Sequence, residues 1–268
     1  MAQHLPADYA FDPADPRAPA LDQWERMAPD ERARVVAMLP EEVPLELLPN
    51  EGDPHRNAKR GALEALGGFF RRTGRKIYRS SELAVFYPAE PRFAPDLLAV
   101  TDVEPHERTR WVVADEGKGL DFVLEVHAAG DRRKDEKTNV ERYARLGIQE
   151  YFFFDRTGLR LVGYRLPAGA GDASARVYQR LVPQAGRYAS GVLGLDLALD
   201  GTRLRFFSGN APLEDADEMV ARLGSMLDEV IAGQEDLAGK LAEAERQLAE
   251  ARAEIERLTP RRAPEVRP

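Results

Sequence analysis

Residues 95–155 constrain the fold more than any other stretch of this 268-residue chain. They contain three apolar runs, each of a length suited to one strand, and a helical pattern covers residues 134–146 between the second and the third run. A strand, a helix and a further strand in this order form a β-α-β unit, whose two strands lie parallel. Further strands are predicted over residues 77–87 and 159–207. The sequence therefore predicts an α/β or α+β fold with a mixed β-sheet.

Two carboxylates accompany the first two apolar runs. Asp96 opens the first run, and Glu125 lies inside the second, with His127 two residues further on the same face of the strand. A buried carboxylate is costly unless a partner or a metal ion offsets its charge, and one divalent ion could serve both. The alternative is that Asp96 simply starts a strand and that Glu125 lies on an exposed strand face.

The sign of the charge changes sharply near residue 54. Residues 1–54 carry four basic and twelve acidic side chains, and they read as an arm followed by a helix over 21–38 that is interrupted at Pro29. Residues 55–79 carry eight basic side chains and one acidic, and they begin with an amphipathic helix over 55–72 that His55 caps. The basic run at its end indicates either a phosphate-contacting patch or a solvated helix terminus, and it comprises Arg71, Arg72, Arg75 and Lys76.

Composition excludes several classes of protein. The chain has no cysteine, so disulfides and thiolate metal sites are absent. It has no apolar run near the ~20 residues of a membrane span and no signal-peptide pattern, so we expect a cytoplasmic protein without membrane contact. A net charge of −8 argues against general affinity for nucleic acid.

The C-terminal region has a different pattern, with apolar positions at alternating spacings of three and four. Such an a/d seam predicts a coiled coil over residues 213–258 that pairs chains, most simply as a dimer, although a lone helix is the alternative. Pro260 ends the pattern, and residues 259–268 are expected to be disordered. The seam positions are Val220, Leu223, Leu227, Val230, Gln234, Leu237, Leu241, Ala244, Leu248, Ala251, Ile255 and Leu258.

An ordered set of residues surrounds the two carboxylates: Pro95, Asp96, Glu125, Asp135 and Tyr143, followed by the run from Gly147 to Phe152. This set resembles the PD-(D/E)XK nuclease superfamily, which has the restriction-endonuclease-like α/β fold. The closer resemblance is to its large bacterial family of Uma-type endonucleases, and it covers roughly residues 50–200. The run from Gly147 to Phe152 resembles the Gly-Val-Pro-Glu-Tyr-Trp run of that family.

The resemblance implies a Mg²⁺-dependent (or Mn²⁺-dependent) phosphodiesterase that acts on DNA. It implies that Asp96, Glu125 and the backbone carbonyl of Val126 hold the metal ion, and that a lysine assists an attacking water. Together with the change of charge and the apolar seam, it divides the chain into an acidic N-terminal arm and helical extension over 1–54, a nuclease domain over 55–210, the coiled coil and the tail.

This chain departs from the family at the lysine. The usual Glu-x-Lys position is His127, and the alternative helix position, in the pattern Asp135-x-x-x-Lys-x-x-x-Tyr143, is Asn139. Lys134 and Lys137 lie nearby, and an α-helical wheel puts Lys137 at the edge of the packed face and Asn139 on the opposite flank. We therefore expect Lys137, rather than Lys134, to replace the lysine, with His127 as the next candidate. The alternative is that both lysines face the solvent. The rival hypothesis is a catalytically inactive nuclease-fold protein that acts as an oligomerising binding or regulatory module.

Overall fold

A computed structural model of the chain describes residues 9–44, 52–127, 134–169 and 176–258. The predicted tail, 259–268, and the start of the predicted arm lie outside these ranges. The chain divides into two units, one that ends at Asp215 and one that begins at Ala216.

The described helices and strands follow one another much as the periodicity predicts. A π-helical turn, Lys134–Thr138, immediately precedes the fifth α-helix. The helices are α1 (Leu21–Arg26), α2 (Pro29–Met38), α3 (Asp53–Thr73), α4 (Val113–Glu116), α5 (Asn139–Leu146) and α6 (Ala216–Leu258). The strands are β1 (Ile77–Ser80), β2 (Ala84–Phe86), β3 (Leu97–Thr101), β4 (Arg110–Val112), β5 (Phe122–His127), β6 (Glu150–Asp155), β7 (Arg160–Arg165), β8 (Gln179–Arg180), β9 (Tyr188–Ser190), β10 (Leu195–Asp200), β11 (Arg203–Ser208) and β12 (Ala211–Pro212).

The largest sheet has the strand order β1-β3-β5-β6-β7-β8. Only β5 and β6 pair in parallel within it, and the connection between them contains α5. The sheet is therefore mixed, and the predicted β-α-β unit is confirmed. Gly147, the residue after α5, has a φ of +80°, so the chain can turn there from the helix toward β6 without the strain that a side chain would add.

Side-chain alternation along β5 builds two separate cores. Leu124 and Val126 belong to the cluster that also contains Leu66 and Phe70 of α3 and residues of the antiparallel sheet β12-β11-β10-β9. Val123 belongs to the other cluster, which contains residues of α5. The sheet is thus covered by helix on both faces, which is the reason that its strands read as nearly continuous apolar runs.

The acidic N-terminal segment packs onto the same unit. Val36 of α2 lies against Phe86 of β2 and Val112 of β4, two strands that form a separate parallel pair. Arg110 of β4 donates a hydrogen bond to the Val36 carbonyl at 2.8 Å. The unit also continues beyond residue 210, because Leu213 is buried and its N–H donates to the Phe206 carbonyl at 2.7 Å.

Helix α6 forms the second unit. Its apolar seam residues, among them Val220, Leu227 and Leu241, are all exposed. A seam of this kind needs a partner, and its assembly as a coiled coil stays a prediction. No helix in the described segments is both long enough and apolar enough to cross a bilayer.

Candidate active site

The antiparallel pairing of β3 with β5 brings the two carboxylates together. Leu97 pairs with Leu124, so Asp96, one residue earlier, lies opposite Glu125, one residue later. The backbone N–H of Asp96 donates to Oε2 of Glu125 at 3.2 Å. The juxtaposition that the sequence predicts for these two residues therefore follows from strand register.

Each carboxylate is held in place by a hydrogen bond of its own. The N–H of Val126 donates to Oδ2 of Asp96 at 2.7 Å, and the hydroxyl of Tyr143 donates to Oε1 of Glu125 at 2.5 Å. Burial raises the pKa of the Tyr143 phenol well above its usual range, and the Glu125 charge raises it further. The phenol therefore stays protonated at neutral pH and remains a donor to Glu125.

Helix α3 adds two residues that were not predicted to belong to the site. The Nε2 atom of His55 lies 3.1 Å from Oδ1 of Asp96, without the alignment of a hydrogen bond. The ammonium of Lys59 lies 3.9 Å from the same oxygen and 2.5 Å from Oε1 of Glu82. Both side chains are almost completely buried, so the site contains a fixed cation beside Asp96.

The signal for these two residues is nevertheless present in the sequence. His55 and Lys59 are one helical turn apart and in phase with Ala62 and Leu66, which are buried on the same face of α3. In the sequence, the position of His55 at the start of the helix indicates a cap, and Lys59 is one of the eight basic residues of the segment 55–79. A helical wheel over α3 places both on the face that packs against the sheet.

The donor atoms at the site fit a hard divalent cation. A carboxylate has about four lone-pair sites, so it can accept hydrogen bonds and still bind a metal ion, and Mg²⁺ prefers oxygen ligands and keeps several waters. Three carboxylates and one ammonium, those of Asp96, Glu125, Glu82 and Lys59, have a formal charge of −2, which one divalent ion balances. Among the described side chains no group of three or more potential ligands forms a ready-made cluster. A bound ion would therefore rely on two carboxylates, a backbone carbonyl and water.

In the structure, the residues expected to replace the lysine do not lie where the helical wheel predicts. Asn139 is buried and Lys137 is exposed, the reverse of the predicted order. For Lys137 the wheel is wrong because residues 134–138 form a π turn, whose i to i+5 hydrogen bonds shift the phase of the residues before α5. Asn139 belongs to α5 itself and lies one turn before the buried Tyr143, so it shares the packed face of that helix. The side chains of Lys134 and Asp135 lie outside the described set. His127 is buried, with its ring 6.1 Å from that of Phe153.

The basic run after α3 is only partly available to a ligand. Arg71 and Arg72 are exposed in the last turn of the helix. Arg75 donates to the carbonyls of Leu193 and Val192 at 3.0 and 2.7 Å, and Lys76 forms an ion pair with Glu104. Arg75 therefore has a structural contact with the loop before β10, in addition to its positive charge.

The comparison with protein families agrees with the resemblance seen in the sequence. The family model "Uma2: Putative restriction endonuclease" matches residues 21–200, from the start of α1 to the end of β10. No protein with a curated description matches the chain. Among solved structures, the chain is similar to "a putative nuclease belonging to DUF820" from Anabaena variabilis ATCC 29413, with 11% identity, a TM-score of 0.42, and coverage of 55% of this chain and 76% of that chain. Because the family model spans well over half of its length, this chain belongs to the Uma2 family.

Proposed function

We propose that this protein is a Mg²⁺-dependent (or Mn²⁺-dependent) endonuclease of the PD-(D/E)XK type that hydrolyses DNA phosphodiester bonds in the cytoplasm. The observation that carries the proposal is the contact between Asp96, directly before β3, and Glu125 of β5, inside the segment that matches the Uma2 family. The net formal charge of the site and its oxygen donors support a divalent cofactor.

The residues of the chain have separate roles in this proposal. Asp96, Glu125 and the Val126 carbonyl would hold the ion, and Tyr143 keeps the Glu125 carboxylate oriented through its hydrogen bond. A bound Mg²⁺ supplies a Lewis acid for the phosphoryl oxygen and lowers the pKa of a coordinated water.

Polar groups near the site would handle the proton and the substrate. His127, Lys137 and Lys134 are the candidates that the family motif suggests for orienting the attacking water. Arg71, Arg72, Arg75 and Lys76 are the candidates for contacts with DNA phosphates, which would make binding weaker as the salt concentration rises.

Replacing Glu125 by glutamine tests the proposal. We expect the purified chain to nick supercoiled plasmid in Mg²⁺ and to stop when EDTA removes the metal. Glu125→Gln keeps the shape of the side chain and removes its charge, so the rate of nicking should fall at least about 100-fold, which corresponds to about 3 kcal/mol of barrier. Glu141→Gln, at an exposed position of α5, is the matched control and should keep the parent rate.

The same assay separates the enzyme from its rival. A parent protein that leaves every DNA substrate intact in Mg²⁺ and Mn²⁺, while remaining folded, would contradict the proposal and favour the inactive binding module. Equal rates for Glu125→Gln and the parent would show that any cleavage comes from elsewhere.

We also propose that α6 pairs two copies of the chain as a coiled coil. The helix has 43 residues, and its apolar side chains are exposed at alternating spacings of three and four. A helix with such a seam buries it against another helix, and a second copy supplies an identical seam. The polar Gln234 within the seam would help to set the register of the pair.

Removing α6 tests this pairing. The full chain should behave as a dimer at micromolar concentration in size-exclusion chromatography with light scattering, and a chain that ends at Asp215 should be monomeric and folded. Leu241→Glu should weaken the dimer, because it puts two charges into the seam, whereas Glu245→Gln outside the seam should not. A monomeric full-length protein would rule the pairing out.

A further inference from the structure

Lys59 occupies a position that packing alone does not explain. The side chain belongs to the buried face of α3, where its neighbours in phase are Ala62 and Leu66, and only 3% of its surface is exposed. Lysine is almost never buried to this extent unless it is paired. An apolar residue of similar volume would avoid the loss of ammonium hydration, so stability does not require a charge at this position.

The surroundings of Lys59 hold its ammonium beside Asp96. Glu82 accepts a hydrogen bond from the ammonium at 2.5 Å, and its own backbone N–H donates to the Pro95 carbonyl at 2.9 Å. Glu82 has a φ of +53°, a left-handed conformation that few residues other than glycine adopt. The turn before β2 is therefore strained at Glu82. The same residue pairs with Lys59 and is hydrogen-bonded to Pro95, which precedes Asp96.

The other lysines with described side chains either form ion pairs away from Asp96 or are exposed. Lys76 pairs with Glu104, and Lys118 pairs with Asp121 and donates to the Thr101 carbonyl at 2.6 Å. Lys240 pairs with Asp236 in α6, and Lys137 is exposed. At the two positions where the family pattern has a lysine, this chain has His127 and Asn139.

We propose that Lys59, from helix α3, is the fixed positive charge of the active site and supplies the charge, but not the contact with water, of the lysine that is missing from positions 127 and 139. It is a positioning residue, because its ammonium acts on Asp96 and Glu82 rather than on the reacting atoms. Its positive charge lowers the net negative charge of the site to the amount that one divalent ion balances. It also keeps the Asp96 carboxylate in place between α3 and the N–H of Val126. This inference rests on the proposed nuclease function.

Two measurements on Lys59→Met test the inference. Plasmid nicking in Mg²⁺ should fall about 100-fold, which is the loss expected when a group at the site is misplaced by about 1 Å. Mn²⁺ binding, measured by isothermal titration without DNA, should become at least about tenfold tighter, because a positive charge next to the ligands has been removed. Lys118→Met, which removes an ion-paired lysine from another part of the same unit, should change neither quantity.

A double variant covers the risk that Lys59→Met destabilises the fold. Lys59→Met/Glu82→Gln removes both members of the ion pair, so no uncompensated charge stays behind, and Glu82→Gln alone is its reference. The double variant keeps the formal charge of the site, so we expect it to bind Mn²⁺ about as tightly as the parent but to nick slowly, because no ammonium lies beside Asp96. If it regains the parent's rate of nicking, Lys59 serves only to neutralise Glu82, and the inference is wrong.

The two readouts also separate this inference from the proposed function. If the parent binds Mn²⁺ but cleaves no DNA, the nuclease proposal fails, and the change in Mn²⁺ affinity still decides the role of Lys59. If Lys137→Met or Lys134→Met abolishes nicking while Lys59→Met does not, the missing lysine is replaced from the π turn, and Lys59 is structural.

Discussion

Replacing Asp96 by asparagine is expected to abolish Mg²⁺-dependent DNA cleavage, with a loss of at least about 1,000-fold. The Asp96 carboxylate contacts residues of both β5 and α3, since it accepts a hydrogen bond from the Val126 N–H and lies beside His55 and Lys59. Asparagine can still accept the Val126 hydrogen bond, but it removes one of the two anionic ligands proposed for the metal. A loss of about 4 kcal/mol in transition-state stabilisation corresponds to this decrease in rate.

The fold should survive the same substitution. Lys59 keeps its ion pair with Glu82, so Asp96→Asn leaves no isolated buried charge, and the free energy of unfolding should fall by only about 1 kcal/mol. Asp228→Asn, at an exposed position of α6, is the control for the charge change. A folded Asp96→Asn protein that still cleaves at the rate of Asp228→Asn would remove Asp96 from the site.

Replacing Glu150 by alanine should have the largest effect on stability, with a loss of about 3–5 kcal/mol in the free energy of unfolding. The Glu150 carboxylate is buried at the start of β6. It accepts from Arg165 Nε at 2.7 Å, from the Gly191 N–H at 2.8 Å and from the Ser190 hydroxyl. It therefore joins the six-stranded sheet to the loop after β9, and alanine leaves three donors without their acceptor.

Urea unfolding at neutral pH would measure this difference. The matched control is Glu104→Ala, which removes a glutamate whose ion pair with Lys76 is largely exposed and should cost no more than about 1 kcal/mol. Equal unfolding midpoints for the two variants would mean that the Glu150 network adds nothing beyond a surface ion pair. Both variants should keep their secondary structure at low urea, so that the comparison concerns stability alone.

The order of the elements could be predicted from the sequence because it depends on local periodicity. Apolar runs of strand length around a helical pattern determined the β-α-β unit from β5 to β6, and spacings of three and four determined the long helix α6. The opposition of Asp96 and Glu125 was also predictable, since two adjacent strands that each carry a carboxylate bring the pair together through their register.

The tertiary structure decided which cation stands beside those carboxylates. His55 and Lys59 are far from Asp96 in the chain, and they reach it only because α3 packs its apolar face on the sheet and carries both residues on that face. The π turn changed the expected placement of Lys137, since its hydrogen bonding breaks the constant phase that a helical wheel assumes. The packing of α5 decided that Asn139 lies on the same buried face as Tyr143. Such contacts depend on the way that distant segments pack against one another, and a pattern read along the chain does not contain that information.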